Sequence, residues 1–151
     1  METLEPILAA HPFFKDLKPS SMALVVGCAS NVRFDEGTTI FREGEEATRF
    51  YVVREGKVAL DLLIPGHGPV IVETVEDGEV LGWSWLFPPY LWRFNARVVE
   101  PVRAIALDGT CLRNKCDGDH DFGYDMMTRF ARLMQDRLSA LTLQVTDVYA
   151  R

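Results

Sequence analysis

Arg93 and Arg97 close an unusual segment, GWSWLFPPYLWRFNAR over residues 82–97, in which three Trp, two Phe and one Tyr surround very few polar groups. A guanidinium offers a planar fork of N–H donors suited to a phosphate or carboxylate, and flat aromatic walls suit a ring. Ser84 and Asn95 are the other polar side chains that a pocket here would use, although both residue types also serve turns. Three readings stand open. Trp83, Trp85 and Trp92 fill a core, or they line a pocket and stack on a ligand, or Pro88-Pro89-Tyr90-Leu91-Trp92 projects as an apolar loop that binds a partner.

The other chemistry-bearing residues are scattered. His67 lies in a Gly66-His67-Gly68 hairpin, His11 precedes Pro12, and His120 precedes the last helix, so no strand-borne pair is placed to chelate a metal. Solvated or capping roles are expected for all three, and no metal site. Cys111, Cys116 and His120 fall close enough in sequence to ligate a haem iron, but no attachment motif accompanies them and packing is the expected use of the thiols. Asp117, Asp119 and Asp121 alternate as in a calcium loop without its remaining ligands, which leaves a helix-start acidic cap. Nothing assembles a nucleophile, a base and an orienting group, so no enzyme is expected.

The chain that must position these groups has 151 residues, 48% of them hydrophobic, which suits one domain with one core. Its net charge is −6 with no stripe of Lys or Arg, which disfavours direct nucleic-acid binding. Met1 is followed by Glu2 and Glu5 instead of a basic run and a long apolar segment, so neither export nor membrane insertion is expected. Cys28, Cys111 and Cys116 lack close paired spacings and support neither a disulfide framework nor a four-thiolate zinc site. A reducing cytoplasm is the simplest setting.

Two short helices are expected in residues 1–30, with Ser20 after Pro19 as a cap. From Asn31 to Asp108 the runs VRF, TTIF, RFYVV, KVALDLLI, PVIVETV, ARVV and VRAIAL are β-branched or aromatic and read as strands. Glu36-Gly37, Glu43-Gly44, Glu55-Gly56, Gly66-His67-Gly68, Asp77-Gly78 and Asp108-Gly109 read as the turns between them, which implies an antiparallel sandwich or barrel. Residues 109–151 read as helices. Met127, Phe130, Met134, Leu138, Leu141, Val145 and Val148 recur at three- and four-residue steps and form one stripe, longer than a small barrel needs for cover. A second copy of the helix would take the remainder, which predicts a homodimer.

Short helices, a run of about eight strands with glycine turns, and a long final helix bring specific residues into line. Gly37, Phe41, Gly44, Tyr51, Gly56, Val58, Gly78 and Gly82 fall at signature positions of the cyclic-nucleotide-binding domain of the catabolite-activator superfamily, which this chain resembles over nearly its whole length. The resemblance implies a mainly β fold with flanking helices: an antiparallel β-roll of jelly-roll type with a long C-terminal dimerisation helix. Tyr51 and Val53 should share one sheet face, with Phe50 and Val52 on the other.

By the same resemblance, Gly82 opens the phosphate-binding cassette, a short helix whose N–H groups and one Arg hold the cyclic phosphate. This chain departs from that pattern. Trp83 stands where the family has a Glu for the ribose hydroxyl, and strict register puts Phe94 in place of the Arg. Arg93 takes that place only with a one-residue shift before Asn95 and Ala96, and Arg97 is a second candidate. The resemblance also nominates Leu141 and Thr142 midway along the last helix for the base. What it implies is a non-catalytic sensor that signals through a dimer helix to a downstream protein partner. Its expected ligand is a cyclic nucleotide or another small anion, with no other cofactor. The chain stops at DVYAR, near the helix end, so no DNA-reading helix-turn-helix domain is expected after it.

Overall fold

The computed structural model describes residues 4–150; Met1, Glu2 and Arg151, cited above, lie outside them. The chain divides into two compact units between residues 114 and 115. The first opens with α1 (Glu5–Ala10), a 3-10 turn (Pro12–Phe14) and α2 (Pro19–Val26). Pro19 occupies the first turn of α2, where its missing N–H costs nothing. Lys18, not Ser20, is the flanking residue, and no side chain caps this helix.

Six strands follow among the described residues: β1 (Ala29–Phe34), β2 (Thr39–Phe41), β3 (Arg49–Ile64), β4 (Gly68–Val75), β5 (Val80–Leu81) and β6 (Asn95–Asp108). They form an antiparallel sheet of order β1-β6-β3-β4, with β2 also on β6 and β5 also on β3. This is the expected roll, built from fewer and longer strands. RFYVV and KVALDLLI are one strand, because Glu55-Gly56 is not a turn. Gly56 sits at φ +117°, and a Cβ there would lie 2.4 Å from the Pro101 carbonyl oxygen. The missing side chain lets β3 bulge against β6, with the register shifting from Val53 to Val58. The same bulge accommodates Pro101, so ARVV and VRAIAL also join into one strand. Asp108-Gly109 is likewise no turn: Gly109 opens α3 (Gly109–Gly118), where a Cβ would meet Trp85 Cβ at 2.9 Å.

Strand alternation sorts β3 as expected. Tyr51 and Val53 join Phe41, Leu60, Leu81 and Trp92 inside the roll, while Phe50 faces the other way and stacks on Trp85 at 5.0 Å. Phe50, Val52 and Val53 are fully buried, so β3 is apolar on both faces.

Cys28, just before β1, and Cys111, in the first turns of α3, are joined by a disulfide across 83 positions, with Cα atoms 5.8 Å apart. This corrects the expectation that the cysteines pair with nothing. It removes Cys111 as an iron ligand and withdraws cysteine usage as a sign of a reducing compartment. Sequence distance hid the pair; the β1–β6 ladder, Ala29 opposite Leu107, makes it by bringing both ends of the roll together.

The second unit holds the end of α3 and α4 (His120–Ala150). Asp119 caps α4 by accepting from the Phe122 amide at 3.1 Å, as the acidic run implied. Phe122, Met126 and Phe130, at four-residue steps, are fully buried. Phe130, placed above on the dimer stripe, is therefore buried with this inner series. Among the described residues no helix is long and apolar enough to cross a membrane.

Candidate functional site

Segment 82–97 is built around Gly82, whose φ of +96° turns the chain out of β5. The helix expected after it is a 3-10 turn of three residues, Ser84–Leu86, with Trp83 at its start and no side-chain cap. So short a turn aligns few peptide dipoles, so an anion at it would depend on individual N–H groups and on side chains.

Beyond Phe87 and a cis Pro88-Pro89 bond, the chain runs back beside the loop before β3. Tyr90 accepts from the Ala47 amide at 2.7 Å, Trp92 donates to the Glu45 carbonyl at 2.9 Å, and the Gly44 amide donates to the Trp92 carbonyl at 2.9 Å. These bonds hold Tyr90 at φ +57°, a conformation unfavourable for a bulky side chain. The Arg113 guanidinium lies 4.2 Å from the Tyr90 ring centre and donates to the Trp85 carbonyl.

The aromatic cluster divides. Trp92 points into the roll, 6% exposed, and stacks on Phe41. Trp85 is fully buried against Phe50, on the opposite face of β3. Since consecutive strand residues point to opposite faces, these two Trp side chains pack on opposite sides of β3, and of the three readings left open the core reading describes Trp85 and Trp92. Trp83 is half-buried at the turn, and Phe94 is partly buried against the roll interior.

The polar candidates are spread out. Arg93 and Arg97 are both exposed, and Arg97 lies on β6 between Thr39 and Ala59. Asn95 is used internally: its amide donates to Asp61 at 3.0 Å and its oxygen accepts from the Glu43 amide at 2.9 Å. Ala96 is fully buried. Asp61 was missed in the sequence, although a single acid inside KVALDLLI signals it; it is only 9% exposed.

An open cleft of about 450 Å³ lies beside Trp92, lined by Phe41, Glu45, Glu46, Arg49 and Tyr51 among others. Burial raises the Tyr51 pKa, with Arg49 opposing the shift. His11 is buried, not solvated. It is a cap, accepting from the Phe13 amide at 3.2 Å through Nδ1, and its Nε2 lies 3.1 Å from the Val53 carbonyl oxygen. Burial lowers its pKa, and the Val53 contact opposes that shift. No cluster of three or more metal-ligating side chains occurs among the described residues.

In the second unit Leu141 and Thr142 are exposed, and Thr142 donates to the Leu138 carbonyl. Leu138, Leu141, Thr142, Val145, Thr146 and Tyr149 border a shallow apolar groove of about 370 Å³ along α4.

Known proteins share this architecture. The family model for the cyclic nucleotide-binding domain matches residues 31–119. A CRP-like cAMP-activated global transcriptional regulator of Mycobacterium tuberculosis is 26% identical over 149 residues, which is 98% of this chain and 66% of the regulator, so the chain spans just under two thirds of that relative. A cyclic nucleotide-binding protein of Geobacter metallireducens superposes with a TM-score of 0.80 at 26% identity, over 91% of this chain and 99% of that one. The Thermus thermophilus catabolite activator protein superposes at 0.68 and 22% identity, over 89% and 63% of the two chains, and shares the fold. With the roll, the Gly82 turn and the final helix in place, the chain belongs to the cyclic nucleotide-binding domain family.

Proposed function

We infer that this protein is a non-catalytic regulatory module that pairs with a second copy through α4 and takes its input at segment 82–97. The observation that carries this reading is the exposed seam of α4. Tyr124, Met127, Ala131, Met134, Leu138, Leu141, Val145 and Val148 follow alternating steps of three and four, the spacing of a two-stranded coiled coil. Leu138 is 65% exposed and Val148 67%, whereas Phe122, Met126 and Phe130 on the inner series are buried. A continuous apolar seam left bare over this length is costly in water and is relieved by a matching copy.

The input follows from the family and the relative's description as cAMP-activated. A cyclic nucleotide is the first ligand to try, entering with displacement of Trp92 from Phe41. A specific observation favours a second reading. Trp92 already fills the interior beside Gly82, so the module would work with a closed roll and signal by protein contact alone. In either case a downstream protein receives the signal.

Calorimetric titration with cyclic AMP and cyclic GMP, with Trp emission followed in the same samples, separates the two readings. Saturable heat with an emission change, weakened in Arg93→Ala, supports ligand input. No heat and no emission change up to millimolar nucleotide leaves the closed roll. A chain that sediments as a monomer at all concentrations overturns the dimer.

A further inference from the structure

The first turns of α3 are fastened at several points within the first unit. Cys111 is bonded to Cys28. The Gly109 amide donates to the Thr48 carbonyl at 2.8 Å. Arg113 donates to the Trp85 carbonyl and lies over the Tyr90 ring. Asp108 caps the turn by accepting from the Cys111 amide at 2.8 Å, while its own amide donates to the Cys28 carbonyl at 3.0 Å. Contact is close: a Cβ on Gly109 would sit 2.9 Å from Trp85 Cβ. The disulfide and the aromatic segment are thus tied to one helical turn, and a shift of that turn is felt at Trp85 and Tyr90.

We propose that Cys28 and Cys111 form a reversible thiol–disulfide modification site whose state is transmitted to Trp85 and Tyr90 through Arg113. Its co-reactant is a dithiol, small or carried on a protein. Cys28 is 7% exposed and Cys111 half-buried, so the exchange is assigned to the Cys111 sulfur as the partner on the more exposed residue. Attack there breaks the S–S bond, forms a mixed disulfide, and releases Cys28 as a thiolate that takes up a proton. The reductant's second thiol gives up its proton and attacks the mixed disulfide. Cys111 then leaves as a thiolate and is protonated, and the reductant becomes a disulfide. Two electrons pass from the dithiol to the protein, and an oxidised dithiol runs the sequence backwards. Cys116 stays outside the exchange. It is not bonded to either partner, and its thiol pKa is raised by burial first and then by Asp117 and Asp119, which disfavours the attacking thiolate.

In the reduced protein the turn keeps its contacts to Thr48, Trp85 and Tyr90 but loses its covalent tie to the end of α2. Segment 82–97 is then held against a looser support. The switch acts on the same segment as the proposed input but needs no ligand there, so its test stands apart from the nucleotide titration.

The full chain is equilibrated under native conditions across ratios of reduced to oxidised dithiothreitol, quenched with iodoacetamide and weighed, while Trp emission is read in parallel. The expected result is one alkylated thiol in the oxidised protein and three in the reduced protein, of the three Cys in the chain, with an emission shift at the same midpoint. Cys116→Ser keeps the step and the shift. Arg113→Ala keeps the thiol step and loses most of the shift. Three alkylated thiols at every ratio, a bridge that yields only after unfolding in urea, or a thiol step without an emission change each overturns the proposal. Cys28→Ser should abolish both step and shift; if it does not fold, the wild-type titration decides alone.

Discussion

Trp92 lies flat on Phe41, with ring centres 3.7 Å apart and planes 7° from parallel, and its outer edge takes the space that a side chain on Gly82 would need, 2.6 Å from a Cβ. A glycine at the start of the segment and a Trp near its end are therefore one fitted pair inside the roll. Trp92→Ala should lower stability by about 3–5 kcal/mol, the usual cost of deleting a large buried ring. Urea denaturation measures this. The vacated space should accept a flat apolar probe, so indole should raise the melting temperature of the variant and not of the wild type.

Two glycines that both hold positive φ should respond very differently to alanine. Gly37, at φ +85°, has nothing within 4 Å of an added Cβ, so Gly37→Ala should cost only the left-handed backbone penalty of about 1–2 kcal/mol. Gly56→Ala adds a collision with the Pro101 carbonyl and Val102 backbone, and overpacking adds about 1–3 kcal/mol or more. A loss at Gly56 no larger than at Gly37 would mean that the β3 bulge is not built as described.

His11 should make stability depend on pH. Nδ1 accepts from the Phe13 amide, so the neutral ring carries its proton on Nε2, directed at the Val53 carbonyl. A second proton would set Nδ1–H against an N–H donor. The folded pKa lies below the ordinary value of 6.5, so the unfolded chain binds the proton more readily. This contribution is fully present above pH 6.5 and is lost as pH falls through the lowered folded value. Denaturation midpoints of wild type and His11→Gln should diverge at neutral pH and converge on acidification.

Leu138→Asp and Phe130→Ala test the two sides of α4. Leu138 is exposed, so a charge there should leave folding nearly untouched and shift sedimentation from dimer to monomer. Phe130 is 1% exposed, so its truncation should cost about 3–5 kcal/mol of stability with pairing affected only through folding. Equal association of the Leu138 variant and the wild type would remove the seam from the interface.

Strand content, the long helix and the roll were readable because alternation and the step of three or four survive in sequence. Tyr51 and Val53 inside, with Phe50 outside, follow from that alternation alone. What misled was local chemistry taken out of its tertiary setting. Glu55-Gly56 has the composition of a turn, yet it is a bulge because Pro101 sits opposite, a fact written some 45 positions away. Trp85 and Trp92 look like one aromatic patch, but β3 passes between the faces they cover. Phe130 fits the outer stripe by spacing and the inner series equally well, since it lies four residues from both Met126 and Met134; burial separates them. Arg113 carried no signal, because two of its partners are a backbone carbonyl and a ring in a distant segment.

All six strands lie between Cys28 and Cys111 in sequence. With the bridge closed, the sheet belongs to a covalent ring, and a single cut in the exposed hairpin near His67 leaves one connected molecule instead of two fragments. Closing a ring of 83 positions also removes conformations from the denatured chain, worth about 4–5 kcal/mol in the loop-entropy account. The oxidised protein is thus a circularised roll, flanked in sequence by α1 and α2 on one side and by the rest of α3 and α4 on the other.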